Sequence, residues 1–144
     1  MPLNLKPSFY WHFSVRALLA TGLVFAIEII IARYFHDPLI RFFLGDVLVM
    51  LLMYSFLRIF LQGSDRWLIL GLLVFACLVE TGQYFHLATI LGLAPNSLGE
   101  IILGATFDWK DLLAYIIGTG LNLWISPVFQ TPTSLKISPT EPDS

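Results

Sequence analysis

The sequence predicts an all-α membrane protein: a four-helix transmembrane bundle with a short helical or re-entrant loop between its third and fourth helices. Three observations carry that reading. Hydrophobic residues make up 57% of the 144-residue chain and charged residues only 12%, where soluble domains carry about a quarter charged residues. Mean hydropathy is +0.79. The few charges also fall at intervals that leave four apolar stretches, each close to the roughly 20 residues a helix needs to cross a hydrocarbon core. So few charges do not cover a water-soluble globule, which argues against a soluble enzyme and against a disordered chain.

The elements follow in order. Arg16 and Arg33 bracket ALLATGLVFAIEIIIA, interrupted by Glu28 alone. This stretch is long, holds a carboxylate and lacks a small-residue cleavage site, so it reads as a retained helix and not as a signal peptide. Arg41 and Arg58 bracket FFLGDVLVMLLMYSFL, with Asp46 near its start. Arg66 and His86 bracket WLILGLLVFACLVETGQYF, with Glu80 and Gln83 near its end. The fourth stretch, LLAYIIGTGLNLWISPVF, carries no charge and closes around Pro127. Trp67, Trp109 and Trp124 are expected near the membrane interfaces, with flanking arginines snorkelling.

Residues 86–107 are apolar, yet Pro95-Asn96 divides them into halves too short to cross. Ser97 and Glu100 have the spacing of a capping box, which predicts a short helix over 98–104. This segment is expected to be an interfacial connection, with a re-entrant lid as the alternative, because irregular backbone at depth requires burial inside protein. Residues 1–130 are expected to form one membrane domain. Residues 131–144, polar and proline-rich, are expected to form a disordered tail.

Four spans put both termini on one side. That side holds Lys6, Arg16, Arg58, Arg66 and Lys136, against Arg33, Arg41 and Lys110 on the other. The positive-inside bias then places the termini in the cytoplasm. A net charge of −2 gives no basic field for nucleic acid. The single cysteine, Cys77, reads as a packing residue.

Carboxylates inside a membrane cost roughly 2.5–3.5 kcal/mol each on insertion scales, so they are candidates for function. Alternate threading gathers Asp46, Glu80, Gln83, Asp108 and Asp111 in the non-cytoplasmic half, together with Glu28, Arg33 and Arg41. On the fourth span Asp108, Asp111, Tyr115, Gly118 and Asn122 share a sector of about 80°. The candidate ligand-binding set is Arg41, Asp46, Glu80, Gln83, Asp108, Asp111 and Tyr115. Ala114 and Gly118 form a small-xxx-small pair suited to close helix approach.

The segments RFFLGDVLVMLLMY, LVETGQYF and LGATFDWKDLLAYIIGTGL resemble a bacterial integral-membrane family of unknown function, sometimes automatically labelled as ribosomal maturation proteins. The order Asp, Glu-x-x-Gln, Asp-x-x-x-Tyr/Asn-x-x-Gly is more distantly similar to VanZ-like membrane proteins, associated with glycopeptide-antibiotic resistance. The resemblance spans residues 41–118. It implies a shared fold and motif positions at Arg41, Gly45, Asp46, Glu80, Gln83, Gly104, Asp108, Asp111, Tyr115 and Gly118. The chain departs from the VanZ-like pattern by lacking the arginine expected after Glu-x-x-Gln, where His86 or Glu100 stand, and this weakens a shared site for an anion.

Two readings of the polar set stay open. In one, Arg33 or Arg41 neutralises Asp46, Glu80 or Asp111 and pins the helices through an ion-pair network, the property of a structural or assembly protein. In the other, the site takes a lipid or cell-wall precursor head group from the outer leaflet of a bacterial inner membrane. A small membrane enzyme or an ion conductor is the third class, although Gly-x-Ser-x-Gly, His-Glu-x-x-His and phosphate-loop signatures are absent. No cofactor and no metal is expected, because Glu80 and His86 lie about 120° apart on a helix. An oligomer is compatible with so short a chain.

Overall fold

The structure, a computed structural model, describes residues 9–103 and 107–129. The expected tail at 131–144, Lys6, Lys136 and Gly104 lie outside the described residues. Strand β1 (Phe9–Trp11) leads into helices α1 (Val15–Tyr34) and α2 (Pro38–Phe60), then strand β2 (Leu61–Gly63). Helices α3 (Asp65–Tyr84), α4 (Leu87–Ile90), α5 (Leu98–Leu103) and α6 (Trp109–Phe129) follow. The chain is an all-α polytopic membrane protein: α1, α2, α3 and α6 are each long and apolar enough to cross a membrane.

Local chemistry sets the helix boundaries. Ser14 caps α1 by accepting the Ala17 amide at 3.3 Å. Asp37 caps α2 by accepting the amides of Leu39 at 2.9 Å and Ile40 at 3.4 Å. Pro38 follows at the first helical position, where its missing N–H costs nothing. Within the spans, Thr21, Thr81 and Thr119 each donate a hydroxyl to the carbonyl four residues earlier. No water is at hand in hydrocarbon, so such local bonds let polar side chains ride inside a span. Pro127 has no N–H to give the Leu123 carbonyl. The Ser126 hydroxyl supplies that bond instead, at 3.0 Å, and α6 continues to Phe129.

Helix α2 is central, packed against α1 on one side and α6 on the other, while α3 packs mainly on α6. The α2–α6 seam is tight where the sequence places small residues. Ala114 is fully buried, and a Cβ added at Gly118 would lie 2.6 Å from Met50 Cβ and 3.0 Å from the Val47 carbonyl. One turn further along, the buried Asn122 amide donates to the Met50 carbonyl at 2.9 Å.

A two-stranded antiparallel ribbon, with Tyr10 opposite Gln62, is an addition to the all-helical expectation. Three-residue strands carry no periodicity for a sequence to display. The ribbon continues as backbone bonds from His12 and Ser14 to Phe60 and Ile59, which tie the chain ahead of α1 to the end of α2. At the opposite end, α3 stops at Tyr84 and His86 adopts a left-handed backbone (φ 52°) that turns the chain into α4. Helix α5 starts where the capping box is read. The Glu100 amide donates to Ser97 Oγ at 3.2 Å, and Glu100 Oε2 accepts the Asn96 amide, one residue earlier than the motif prescribes. Trp67, Trp109 and Trp124 are all exposed and lie near helix ends.

Candidate functional site

Two groups of polar side chains sit at opposite ends of the bundle. The first is at the ribbon end. Arg58, the fourth residue after Tyr54 on α2, shares a helix face with it, and the turn through β2 brings back Asp65 at the start of α3. Arg58 and Asp65 form an ion pair buried to 1% and 4% exposure. The Tyr54 hydroxyl donates to Asp65 at 2.8 Å, and Arg58 Nε donates to the same hydroxyl at 3.3 Å. The two terminal nitrogens of Arg58 reach the carbonyls of Leu61 and Gly63, both at 3.4 Å. Gln62 returns a bond of 2.8 Å to the Arg58 carbonyl. Sequence reasoning treated Arg58 as a loop charge setting orientation, yet it is sequestered. The available signal was the Tyr54/Arg58 spacing of four, which puts an arginine against an aromatic on one face.

The second group lies at the α1–α2 turn end and holds most of the predicted site. Asp46 comes from the third turn of α2, Glu80 from the last turns of α3, and Asp111 and Tyr115 from the start of α6. The Asp46 and Asp111 side chains meet across the α2–α6 seam, with Glu80 and Asp108 close enough to repel them. Tyr115 approaches Glu80 from α6. Asp108 directly precedes α6: its amide donates to Glu80 Oε1 at 3.0 Å, and its Oδ1 accepts the Lys110 amide at 3.0 Å. Glu80 is 1% exposed, and among the described residues its second oxygen, Oε2, makes no close hydrogen bond, with the Tyr115 hydroxyl approaching the carboxyl.

Two predicted members stand apart. Gln83 shares its helix with Glu80 but donates to the Ile102 carbonyl at 2.7 Å, fastening α5 to α3. Arg41 is exposed at the outer end of α2, its guanidinium 5.0 Å from the Phe42 ring centre. Among the described residues the ion pairs are Arg58–Asp65 and the exposed Lys110–Asp108 at 3.9 Å. Neither Arg33 nor Arg41 takes part in one; the cation at these carboxylates is Lys110, paired at the exposed edge with Asp108, and no arginine neutralises Asp46, Glu80 or Asp111 among the described residues. Among the described residues no group of three or more His, Cys, Asp or Glu side chains is arranged to hold a metal ion.

The model of a family described as a protein of unknown function (DUF2809) matches residues 35–119. The chain belongs to that family. The matched segment runs from the α1–α2 turn through the first half of α6 and contains every acidic member of the second group. Glu28, which stands nearby on α1, falls outside it. Comparison with curated proteins and with solved structures gives no match.

Such an arrangement has a definite chemical capacity. Four carboxyl groups and a phenol are rich in acceptors and negative charge, with a shared proton where Asp46 meets Asp111 and the Tyr115 hydroxyl as the other side-chain donor. Like charges at contact range repel, and more strongly where water is excluded. The complement is a group bringing positive charge and several N–H donors.

Proposed function

We propose that the chain is a multi-pass protein of a bacterial inner membrane, with cytoplasmic termini, that binds a lipid or cell-envelope head group through Asp46, Glu80, Asp108, Asp111 and Tyr115. The observation carrying this reading is Glu80: a carboxylate at 1% exposure with one oxygen bonded to the Asp108 amide and the other, among the described residues, in no close hydrogen bond, with only the Tyr115 hydroxyl approaching the carboxyl. A buried polar atom left unsatisfied costs about 1–3 kcal/mol, more when charged. A site that exists to be filled accounts for that cost. An ion-pair network does not, because its arginines are elsewhere. The remaining predicted members take supporting roles, Gln83 by fixing the α5 connection and Arg41 by standing at the outer rim. The likeness to VanZ-like proteins supports the same reading through the order of these residues.

The ligand's chemistry follows from these acceptors, as a head group carrying an ammonium. The test uses the full chain in a non-ionic maltoside detergent, with dodecylamine as the cationic probe and dodecanol as the uncharged one. Dodecylamine at about a hundred times its Kd should stabilise the fold by about 2.7 kcal/mol, read as a rise in melting temperature. Glu80→Gln and Asp111→Asn should fold normally and lose that rise. Equal responses to amine and alcohol, or an amine response that survives both substitutions, would overturn the assignment.

A further inference from the structure

One member of the acidic group is reached from the side of the bundle. A groove of about 280 Å³ lies between α1 and α2, and Asp46 belongs to both the groove and the acidic group. Across the groove from Asp46 stands Glu28 of α1, whose Oε1 is buried without a hydrogen-bond partner. Arg41 and Phe42 line the outer part of the same groove, and Leu48 and Val49 continue it along α2.

The groove therefore has a polarity along its length. Arg41 precedes Asp46 by five residues, which at 1.5 Å per residue sets its backbone about 7.5 Å nearer the helix start. A cation thus stands at the rim and carboxylates stand deeper, with apolar wall beside them. Glu28 lies six residues before the end of α1, and Asp46 lies eight residues after the start of α2, so the antiparallel pair brings both to similar depth. An exposed arginine with no ion-pair partner is suited to a phosphate, which it binds through paired N–H groups. A buried carboxylate oxygen without a donor among the described residues, as at Glu28, with a second carboxyl group facing it at Asp46, is suited to an ammonium with three donors.

We propose that this groove admits a zwitterionic diacyl phospholipid laterally from the bilayer. Its phosphate meets Arg41, its primary ammonium reaches Asp46 and Glu28 beneath, and its acyl chains lie along the apolar wall of α2. The proposal rests on the acidic-site reading above and narrows it to one class of lipid and one path. A phosphate alone would face carboxylates at depth. An amine alone would leave Arg41 unused.

The experiment measures lipid binding by native mass spectrometry of the full chain released from maltoside micelles. The probes are dioleoyl phosphatidylethanolamine, dioleoyl phosphatidylglycerol and dodecylamine. Phosphatidylethanolamine should bind at least about tenfold more tightly than phosphatidylglycerol, a difference of about 1.4 kcal/mol. Arg41→Gln should weaken phosphatidylethanolamine about tenfold and leave dodecylamine unchanged. Glu28→Gln should weaken both amines, and because it is nearly isosteric on a lipid-facing helix it should fold. The wild-type comparison needs no variant and stands if a substitution disturbs folding. Equal binding of the two phospholipids, or phosphatidylethanolamine binding indifferent to Arg41→Gln, overturns the zwitterionic assignment. If dodecylamine still binds in an Asp111-dependent manner in that case, the acidic site stands and only the lipid class falls. If dodecylamine does not bind, both fall together.

Discussion

The two polar groups at the ends of this bundle are built from the same residue types and differ in closure. At the ribbon end a carboxylate, a phenol and an arginine satisfy one another, and the backbone carbonyls of Leu61 and Gly63 take up the remaining guanidinium donors. At the other end a tyrosine and four carboxyl groups assemble with no arginine among them, and among the described residues Glu80 Oε2 makes no close hydrogen bond. The closed group is the more deeply buried of the two, since in the open one only Glu80 is fully buried, so depth does not mark a functional site. Charge balance and completeness of hydrogen bonding do. A closed group holds the chain's own elements in register, here the end of α2, the ribbon and the start of α3. An open one keeps capacity for something else.

The sharpest way to break this comparison is to open the closed group. Arg58→Ala leaves the Asp65 carboxylate buried without its cation, and Asp65→Ala leaves the guanidinium likewise. Each single substitution should destabilise the protein by about 3–5 kcal/mol. The double substitution to apolar residues, Arg58→Met with Asp65→Leu, should recover much of the loss, because no charge stays uncompensated. Denaturant or thermal unfolding in detergent reads all three. Singles that unfold like the wild type would show that this group does not lock the ribbon end.

A middle-sized effect is expected where both groups depend on one helix seam. Gly118 lies between Asp111 and Asn122 on the buried face of α6, and α2 approaches it so closely that any Cβ collides with Met50 and the Val47 carbonyl. Gly118→Ala should cost about 1–3 kcal/mol through overpacking. Gly22→Ala is the control, since nothing lies within 4 Å of an added Cβ there, and it should change stability by less than about 0.5 kcal/mol. A tolerated Gly118→Ala would mean that the seam yields, and with it the spacing between Asp46 and Asp111.

What the sequence discloses follows the range of the interaction. Four spans are legible because a helix satisfies its own backbone and hydropathy reports the solvent of each segment. The cap at Ser97 is legible because it acts over three residues. The small-residue pair Ala114/Gly118 marks the tight seam, and alternate threading puts Asp46, Glu80, Asp108 and Asp111 at one end. Beyond that range the reading degrades. Gln83 shares a face with Glu80, yet its amide goes to Ile102, a partner that depends on where α5 docks. Arg41 has the right height but reaches the groove beside α1 and not the carboxylates between α2 and α6. Arg58 and Asp65 flank a turn whose path through β2 is set by pairing with Phe9–Trp11, about fifty residues away in sequence. No local pattern encodes that pairing.

The smallest expected change in stability is the most informative. Glu80→Gln keeps the length and shape of the side chain and keeps an oxygen to accept the Asp108 amide, the bond of 3.0 Å that seats the start of α6. It removes one negative charge from a group where Asp46, Asp108 and Asp111 repel it, and it adds two donors beside acceptors that have few. The loss of hydration on folding is also smaller for an amide than for a carboxylate. These terms point the same way, so Glu80→Gln should leave stability within about 1 kcal/mol of the wild type, on the stabilising side. Arg58→Gln, an amide substitution at equal burial in the closed group, should instead lose several kcal/mol, because it removes the guanidinium charge paired with Asp65. Parallel melting curves of the two glutamine variants decide the matter. If Glu80→Gln destabilises as much as Arg58→Gln, the carboxylate is structural, its charge is satisfied within the fold, and the open group is closed after all.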